Sequence, residues 1–391
     1  MLSKAKNLWQ NHRLLVLAGT CAVLAVGVLV AYSALKRPGD VSNEDAVFQP
    51  EDVNAAFELG DWPVYGLNAE RTRYLEANVE PPFQVKWQFK GRSLLEYAPV
   101  LHNNVLYLTN KNGEFFSINP ERGKRRYKLD VGELSAASPA VDDKNRVFVS
   151  TLEPGNVTAI DGLTGQVLWE QDLPGRSESS PVVADGEVIV GCECGSLFAF
   201  DADDGKKEWE AELGGAVKAA PAVDEGIAYV GDYGGQLSAV RIDDGSIKWQ
   251  TGTTGGSFGR AGAIYATAAV AFGRVYVGSK DSRMYSFEKE TGKLAWSKST
   301  GDEVYAAAVA ADTPTTSPTI YFGSYDGSFY ALDAKDGSTR WQRDVGGAVS
   351  GAASLIGETV YVAELSNTNT FGYSTKDGDQ VWEFRDGTYN P

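Results

Sequence analysis

The feature that most constrains the fold is a unit of about forty residues that is repeated in tandem along most of the chain. One copy, residues 219–249, contains four short runs of β-branched and aromatic residues: 222–224, 227–231, 236–241 and 246–250. Glycine and aspartate, which tolerate the positive φ of tight turns, separate the runs. The pattern predicts a four-stranded sheet that cannot bury both of its faces alone and therefore packs against its neighbours.

The copies can be counted from the aromatic residue in each predicted last strand: Trp87, Tyr127, Trp169, Trp209, Trp249, Trp296, Trp341 and Trp382. Seven full units run from Ala98 to Trp382. An unpaired last strand precedes them at 83–89, and an unpaired first strand begins at Tyr389. We therefore predict an all-β fold, a β-propeller of four-stranded blades with seven full repeats and a partial eighth. The N-terminal strand would close an eight-bladed ring by completing the last blade; a seven-bladed ring with a spare strand is the alternative.

The motif A-x-D-x-x-[T/D]-G-x-x-x-W occurs in full at residues 199–209 and 331–341. It resembles the PQQ-like (quinoprotein-type) β-propeller repeat, and the similarity covers residues 61–391. The resemblance implies that the tryptophan of each blade docks on the turn of the next blade. The tryptophans counted above are then structural, and Tyr127 replaces one of them with a different polar group.

This family divides into PQQ-dependent dehydrogenases and non-catalytic propellers such as the BamB-like components of outer-membrane β-barrel assembly. The resemblance implies that the dehydrogenases use adjacent cysteines, a calcium ion and a catalytic aspartate. Here Cys192 and Cys194 are separated by Glu193, and the chain has only two histidines. We therefore assign no catalytic, cofactor-binding or metal-binding residue, and expect PQQ with calcium only under the dehydrogenase alternative. The two cysteines fit half-buried small residues, a local disulfide or a soft-metal pair.

The N-terminal region predicts a membrane anchor. Residues 14–35 contain no charge and are long enough to cross a bilayer as a helix. Residues 1–13 are basic and polar, which favours a cytoplasmic N-terminus. Residues 36–60 predict a flexible acidic linker to the propeller at 61–391. A signal peptide cleaved near 31–33 is the alternative. We expect a single-pass protein of the cell membrane with its propeller outside the cytoplasm.

The charge balance restricts the kind of partner. The formal net charge is −16, although the first 37 residues hold five basic residues and no acidic one. Such an acidic propeller argues against nucleic acid as a partner. We predict a non-catalytic protein-binding or envelope-assembly scaffold whose partners are the membrane and an envelope protein. A PQQ-dependent dehydrogenase and a ligand- or polysaccharide-sensing ectodomain are the alternatives.

Two groups of residues are candidates for binding. Turns between second and third strands share one rim of a propeller and hold Asp232, Tyr233, Lys280, Asp281, Arg283, Tyr325 and Asp326. Tyrosines just before the first strands are expected to line or cap the central channel: Tyr97, Tyr305 and Tyr389. A solvated rim and simple filling of the channel remain open as alternatives.

Overall fold

The computed structural model describes residues 38–50, 60–255 and 261–385. Within these ranges the chain is all-β, and no helix there could cross a membrane. The anchor predicted at 14–35 lies outside the described residues. Two short strands come first, β1 (Val41–Ser42) and β2 (Tyr74–Leu75), and seven four-stranded antiparallel sheets follow in chain order.

The first four sheets contain sixteen strands. Sheet 1 contains β3 (Val100–His102), β4 (Val105–Thr109), β5 (Glu114–Asn119) and β6 (Lys124–Asp130). Sheet 2 contains β7 (Ala140–Val141), β8 (Arg146–Ser150), β9 (Asn156–Asp161) and β10 (Val167–Asp172). Sheet 3 contains β11 (Val182–Ala184), β12 (Glu187–Gly191), β13 (Ser196–Asp201) and β14 (Lys207–Glu212). Sheet 4 contains β15 (Ala222–Asp224), β16 (Ile227–Gly231), β17 (Gln236–Arg241) and β18 (Ile247–Gly252).

The last three sheets repeat the pattern, and two of them gain a strand. Sheet 5 contains β19 (Ala269–Ala271), β20 (Arg274–Ser279), β21 (Arg283–Glu288) and β22 (Leu294–Ser299), with β1 paired to β22. Sheet 6 contains β23 (Val309–Thr313), β24 (Thr316–Gly323), β25 (Ser328–Asp333) and β26 (Thr339–Asp344). Sheet 7 contains β27 (Ser354–Ile356), β28 (Thr359–Ala363), β29 (Thr370–Ser374) and β30 (Gln380–Phe384), with β2 paired parallel to β27.

One turn, repeated in each sheet, links neighbouring sheets. In sheet 3 the carboxylate of Asp201 accepts hydrogen bonds from the amides of Asp203 and Asp204, at 2.7 and 3.0 Å. Gly205 ends the turn with φ +75°, and a Cβ there would lie 2.6 Å from the indole of Trp169 in sheet 2. The glycine is therefore required both by its backbone conformation and by the tryptophan of the preceding sheet.

The aromatic residue counted once in each repeat, which we call the staple aromatic, lies over the turn of the next sheet. Each donates a hydrogen bond of 2.6–3.1 Å to a backbone carbonyl in the next turn: Trp87 to Pro120, Tyr127 to Gly162, Trp169 to Ala202, Trp209 to Ile242, Trp249 to Lys289, Trp296 to Ala334 and Trp341 to Thr375. Tyr127 uses its phenol in place of an indole. The hydrogen bond fixes a large aromatic ring between two sheets and excludes water from the seam.

Residues 61–75, which we call the channel segment, run along the first strands of the sheets. Its carbonyls accept hydrogen bonds of 2.8–3.0 Å from amides of sheets 1, 2, 4, 5, 6 and 7, namely Leu101, Val141, Val223, Val270, Ala310 and Leu355. The side chain of Arg71 reaches sheet 3, where it donates to the carbonyl of Pro181, and sheet 4, where it donates to Pro221. The channel segment therefore contacts every sheet on its inner side.

Residues 38–50, which we call the edge segment, cover the outer edge of sheet 5. Val41–Ser42 pairs with β22, and the carboxylate of Asp40 accepts hydrogen bonds from Lys298 and from the amide of Ser299. The guanidinium of Arg274 donates to the carbonyl of Ala46 at 2.9 Å. These residues fall in the range expected to be a flexible linker. They are ordered because sheet 5 supplies an open strand edge and cationic side chains.

The residues predicted as an unpaired last strand, 83–89, form no strand, which corrects that expectation. No neighbouring strand in the described part of the chain supplies the ladder that would hold them extended. The segment nevertheless lies between sheets 7 and 1. Phe83 packs edge-on against Trp382 of sheet 7, and the indole of Trp87 lies against Gly123 in the turn of sheet 1.

Candidate functional site

A cavity of about 740 Å³ lies at one end of the channel, and we call it the channel pocket. The channel segment lines one side with Tyr65, Gly66 and Arg73. Most of the other lining residues precede a first strand, and Tyr325 comes from the turn between β24 and β25. Tyr97, Glu178, Lys218, Tyr265, Tyr305 and Tyr325 are among these lining residues.

Four tyrosines form a continuous row, and three of them, Tyr265, Tyr305 and Tyr325, line the wall of the pocket. The ring centroids of Tyr233 and Tyr265 are 6.1 Å apart, those of Tyr265 and Tyr305 are 5.4 Å apart, and those of Tyr305 and Tyr325 are 4.8 Å apart. The rings meet edge-on or tilted, which is the favourable arrangement for aromatic pairs. The row gives the pocket an apolar wall with hydroxyl groups at its surface.

Two lysines lie over rings of this row. The ammonium of Lys218 is 5.4 Å from the ring centre of Tyr233 and bonds to Glu178 and Glu193 at 2.7 and 3.0 Å. Burial opposes the charge of Lys218, but the two carboxylates outweigh it and raise the pKa of Lys218. Burial, reinforced by Glu178, raises the pKa of the Tyr265 phenol. The acids and the lysine therefore satisfy one another at neutral pH.

Arg71 and Arg73 are both buried in the channel segment, in the left-handed backbone region with φ +62° and +59°. Arg71 donates to backbone carbonyls only, and burial, with the nearby charge of Arg73, lowers its pKa to about 9. Arg73 stacks on Tyr65, with its guanidinium carbon 4.1 Å from the ring centre. The Nε and Nη2 of Arg73 are buried and have no hydrogen-bond partner in the described part of the chain.

The predicted rim residues separate into two groups. Tyr233, Lys280 and Tyr325 remain near the channel mouth; a hydrogen bond to Tyr305 raises the pKa of Lys280, which lies 5.1 Å from the centre of that ring. In the second group, the carboxylate of Asp326 accepts a hydrogen bond of 2.6 Å from the hydroxyl of Tyr330.

The other predicted rim residues are buried and have partners inside the fold. Asp232 accepts hydrogen bonds from the amides of its own turn, and Asp281 accepts from Tyr285. Arg283 donates to Ser297 and to the carbonyl of Pro38 in the edge segment. These three side chains hold the fold together and offer no surface to a partner.

Of the predicted channel residues, Tyr97 and Tyr305 line the pocket, whereas Tyr389 lies outside the described residues. The sequence reasoning missed Arg73, Glu178 and Lys218. A usable signal for Arg73 was the stretch 70–73, in which two arginines stand in an otherwise acidic lead-in before the first repeat.

Cys192 and Cys194 form a disulfide at the turn between β12 and β13. Glu193, between them, points its carboxylate to Lys218. In the described residues no three His, Cys, Asp or Glu side chains are grouped to hold a metal ion.

A family model described as outer membrane protein assembly factor BamB matches residues 117–312 and 280–390. The chain belongs to this family. The resemblance to PQQ-like repeats is thereby confirmed. Membership of the BamB family establishes the kind of repeat and does not by itself assign an activity.

Curated relatives include both an outer membrane protein assembly factor and enzymes. The BamB of Nitrosomonas eutropha is 26% identical over 114 residues, which are 29% of this chain and 27% of that protein. The quinohemoprotein alcohol dehydrogenase ADH IIB of Pseudomonas putida is 26% identical over 154 residues, 34% of this chain and 22% of the enzyme. A tetrathionate hydrolase of Acidithiobacillus ferrooxidans is 24% identical over 132 residues, 32% of this chain and 24% of the enzyme. The match spans about a quarter of each relative.

Solved structures of both kinds share the fold. A europium-containing methanol dehydrogenase superposes with a TM-score of 0.69 at 15% identity, covering 85% of this chain and 86% of that one. BamB from Moraxella catarrhalis superposes with a TM-score of 0.63 at 16% identity, covering 75% and 89%. At these identities the likeness establishes the β-propeller fold alone.

Proposed function

We propose that this protein is a membrane-anchored, extracytoplasmic β-propeller that acts as a non-catalytic protein-binding or envelope-assembly scaffold. The observation that carries the proposal is the channel segment, whose hydrogen bonds reach every sheet. The protein's own backbone and the side chain of Arg71 link the sheets to one another from within the ring. Rigid rings with broad outer surfaces are suited to binding other proteins.

The edge segment supports an orientation of the propeller on the membrane. We propose that residues 14–35 span the bilayer, in which case only two residues separate the end of the span from Pro38. An extended chain advances at most about 3.6 Å per residue, so Pro38 lies within about 11 Å of the bilayer. Because Arg283 binds the carbonyl of Pro38 and β22 pairs with β1, the outer edge of sheet 5 would face the membrane.

A surface on sheet 2 has the chemistry of a partner site. Val167 and Leu168 are consecutive in β10, yet they are 46% and 43% exposed, because a bulge before Trp169 turns both outward. Leu163, in the adjoining turn, is also exposed. The residue equivalent to Leu163 in the turn of sheet 3 is Asp203, and the residue equivalent to Leu168 in sheet 4 is Lys248. Ile247 of sheet 4 and Val381 of sheet 7 are single exposed apolar residues at such positions, and among the described sheets only sheet 2 combines three of them. A group of exposed apolar residues is typical of a protein-binding site.

Site-specific photo-crosslinking in intact cells tests the scaffold proposal. A photoreactive amino acid in place of Leu168 is expected to give an adduct with one envelope protein, and Leu163→Glu should abolish the adduct. The matched control is the same amino acid in place of Ile247, which occupies in sheet 4 the position that Val167 holds in sheet 2 and is also exposed. Equal labelling from both positions, or no specific adduct from Leu168, would contradict the proposal.

We propose in addition that the ring closes as eight blades. Tyr361 of sheet 7 has a buried hydroxyl with no partner in the described residues. The equivalent Tyr276 of sheet 5 donates to Ala334, the same carbonyl that binds Trp296 in the turn of sheet 6. A turn of an eighth sheet would supply such a carbonyl to Tyr361 and Trp382.

The dehydrogenase alternative is favoured by the enzymes among the relatives, and it requires residues that fit PQQ with calcium. Glu193 separates Cys192 from Cys194, and the described residues hold no cluster of three acidic, histidine or cysteine ligands. The residues present do not fit this cofactor, and we derive no redox step from it.

A further inference from the structure

A concentration of positive charge lies on and beside sheet 1. Residues 83–128 hold nine basic and three acidic residues, a formal charge of +6 in a chain whose total is −16. Four of the basic residues lie together in the turn before β6 and at its start, and we call them the basic cluster: Arg122, Lys124, Arg125 and Arg126. All four are exposed to solvent.

The basic cluster is not neutralised within the fold. In the ranges that the structure describes, no carboxylate forms an ion pair with any of its four side chains, because the acidic residues beside it are already paired. Glu121 binds Lys86 at 2.6 Å, and Glu114 binds Lys128 at 2.5 Å. Like charges side by side repel one another, so the cluster favours the approach of a negatively charged group from outside.

The position of the cluster in the repeat is unusual. A bulge before Tyr127 places Arg125 and Arg126 at the two positions that Val167 and Leu168 hold in sheet 2. Each of the other six sheets has at least one uncharged or acidic residue at this pair of positions. Among the described sheets, only sheet 1 therefore presents two cations there.

The basic cluster is continuous with the apolar surface of sheet 2. Tyr127, which follows Arg126, donates a hydrogen bond of 2.8 Å to the carbonyl of Gly162, and Gly162 directly precedes the exposed Leu163. Two neighbouring sheets thus present positive charge on one side of their contact and apolar side chains on the other. A partner that covers this contact meets both kinds of surface.

The position of the cluster in the ring argues against membrane lipid as its counterpart. We proposed above that the outer edge of sheet 5 faces the bilayer. Sheets 6 and 7 separate sheet 5 from sheet 1 on one side of the ring, and sheets 2, 3 and 4 separate them on the other. The basic cluster then lies on the side of the propeller that is turned away from the anchoring membrane.

We infer that the partner of the scaffold binds through an acidic segment that also carries apolar side chains. Its carboxylates pair with the basic cluster, where the guanidinium groups of Arg125 and Arg126 can each bind both oxygens of a carboxylate. Its apolar side chains pack on Leu163, Val167 and Leu168. The charges select the partner, and the apolar contact adds affinity. This inference rests on the proposed scaffold function and specifies the chemistry of the partner.

Photo-crosslinking of the full-length protein in intact cells tests the inference at a second position. A photoreactive amino acid in place of Lys124 should give an adduct with the same envelope protein as the one in place of Leu168. Peptide mass spectrometry should place the partner's crosslinked residue in a segment that combines acidic and apolar residues. An adduct from Lys124 with a second copy of this chain, with lipid or with a segment that lacks acidic residues would overturn the inference.

Two matched double variants separate the effect of the cluster from that of net charge. Arg125→Glu with Arg126→Glu should lower the yield of the Leu168 adduct about tenfold or more, because carboxylates then face carboxylates. Lys206→Glu with Lys207→Glu makes the same change in net charge on an exposed stretch of sheet 3, where each lysine is paired with a glutamate, and should leave the yield unchanged. Yields are compared at equal amounts of the protein in the membrane.

The outcomes distinguish this inference from the scaffold proposal. A Leu168 adduct whose yield is unchanged by the double reversal at Arg125 and Arg126, or is lowered equally by the reversal on sheet 3, overturns the inference and leaves the scaffold proposal in place. The absence of any specific adduct from Leu168 in the otherwise wild-type protein overturns both.

Discussion

The contact between sheets 6 and 7 is built differently from the contact between sheets 7 and 1, which residues 83–89 mediate. In the first, Trp341 is buried and donates to the carbonyl of Thr375, in the turn of the following sheet. In the second, the equivalent Trp382 is half-buried, packs against Phe83, and donates to no carbonyl in the described part of the chain.

The difference shows what a repeat can and cannot encode. Each staple aromatic needs the turn of a following repeat, so the repeated motif alone builds every contact except the last one. At that contact, residues outside the repeats replace the missing turn. Phe83 packs against Trp382 of sheet 7, and Trp87 donates a hydrogen bond to the carbonyl of Pro120 in the turn of sheet 1. The channel segment, also unique, then bonds to all of the sheets from within.

The largest expected difference between the two contacts comes from removing their tryptophans. Trp341→Ala should lower the free energy of unfolding by about 3–5 kcal/mol, because it leaves a cavity in a sealed contact. Trp382→Ala should cost on the order of 1–2 kcal/mol, because its indole is already partly in water. Chemical denaturation of both variants measures the two values, and equal losses would show that the second contact is as closed as the first.

A glycine pair separates steric contact from backbone strain. Gly205 and Gly186 both have positive φ, but an added Cβ meets Trp169 at Gly205 and nothing within 4 Å at Gly186. Gly186→Ala should cost about 1 kcal/mol, from strain alone. Gly205→Ala should cost about 2 kcal/mol more, because the staple tryptophan must shift. Equal losses of unfolding free energy in the two variants, measured by denaturation, would show that the fit of the turn glycine against the tryptophan does not help to link the sheets.

High pH should weaken the regular contacts. Tyr107 donates to the carbonyl of Gly162, and burial raises the pKa of Tyr107 to about 12. The unfolded chain loses this proton near pH 10 and the folded chain only near pH 12, so the stabilisation is complete below pH 10 and is lost between these values. Stability should fall by about 1.4 kcal/mol per pH unit for each such tyrosine. Denaturant titrations from pH 9 to 11.5 measure how steeply the unfolding free energy falls with pH. Tyr107→Phe should reduce that slope by about 1.4 kcal/mol per pH unit, the contribution of one proton.

The smallest expected difference concerns two equivalent hydroxyls. Tyr276 donates to Ala334 at 3.1 Å, whereas the hydroxyl of Tyr361 is buried without a partner in the described residues. Tyr276→Phe should cost about 1 kcal/mol. Tyr361→Phe should cost nothing or stabilise slightly, because it removes an unsatisfied polar group. A cost for Tyr361→Phe equal to that for Tyr276→Phe would indicate that Tyr361 has an acceptor, such as a turn of an eighth sheet.

The sequence predicted the repeated part well because its signals are local. The strands predicted at 222–224, 227–231 and 236–241 have those bounds in the structure, since alternation and turn glycines act over a few residues. Arg283 could not be placed in the same way. Its burial depends on Pro38 and Asp40, which are distant in sequence and carry no repeat signal.

The candidate site was only half predictable for the same reason. Tyr97 and Tyr305 occupy a fixed place in the repeat, before a first strand, and so their position at the channel could be expected. Arg73 lies in a segment whose path depends on hydrogen bonds to first strands from the whole length of the chain. Neither propensity nor spacing encodes such a path.

The central claim is that the channel segment holds the ring together from within, and hydrogen exchange with mass spectrometry tests it most directly. The account predicts slow exchange for the first-strand amides that donate to the channel segment, such as those of Val223 and Val270. Arg71→Gln, which removes the side-chain bonds to sheets 3 and 4, should speed exchange of these amides together while the inner strands of each sheet stay protected. Fast exchange of Val223 and Val270 in the wild-type protein, at the rate of exposed turns, would contradict the claim.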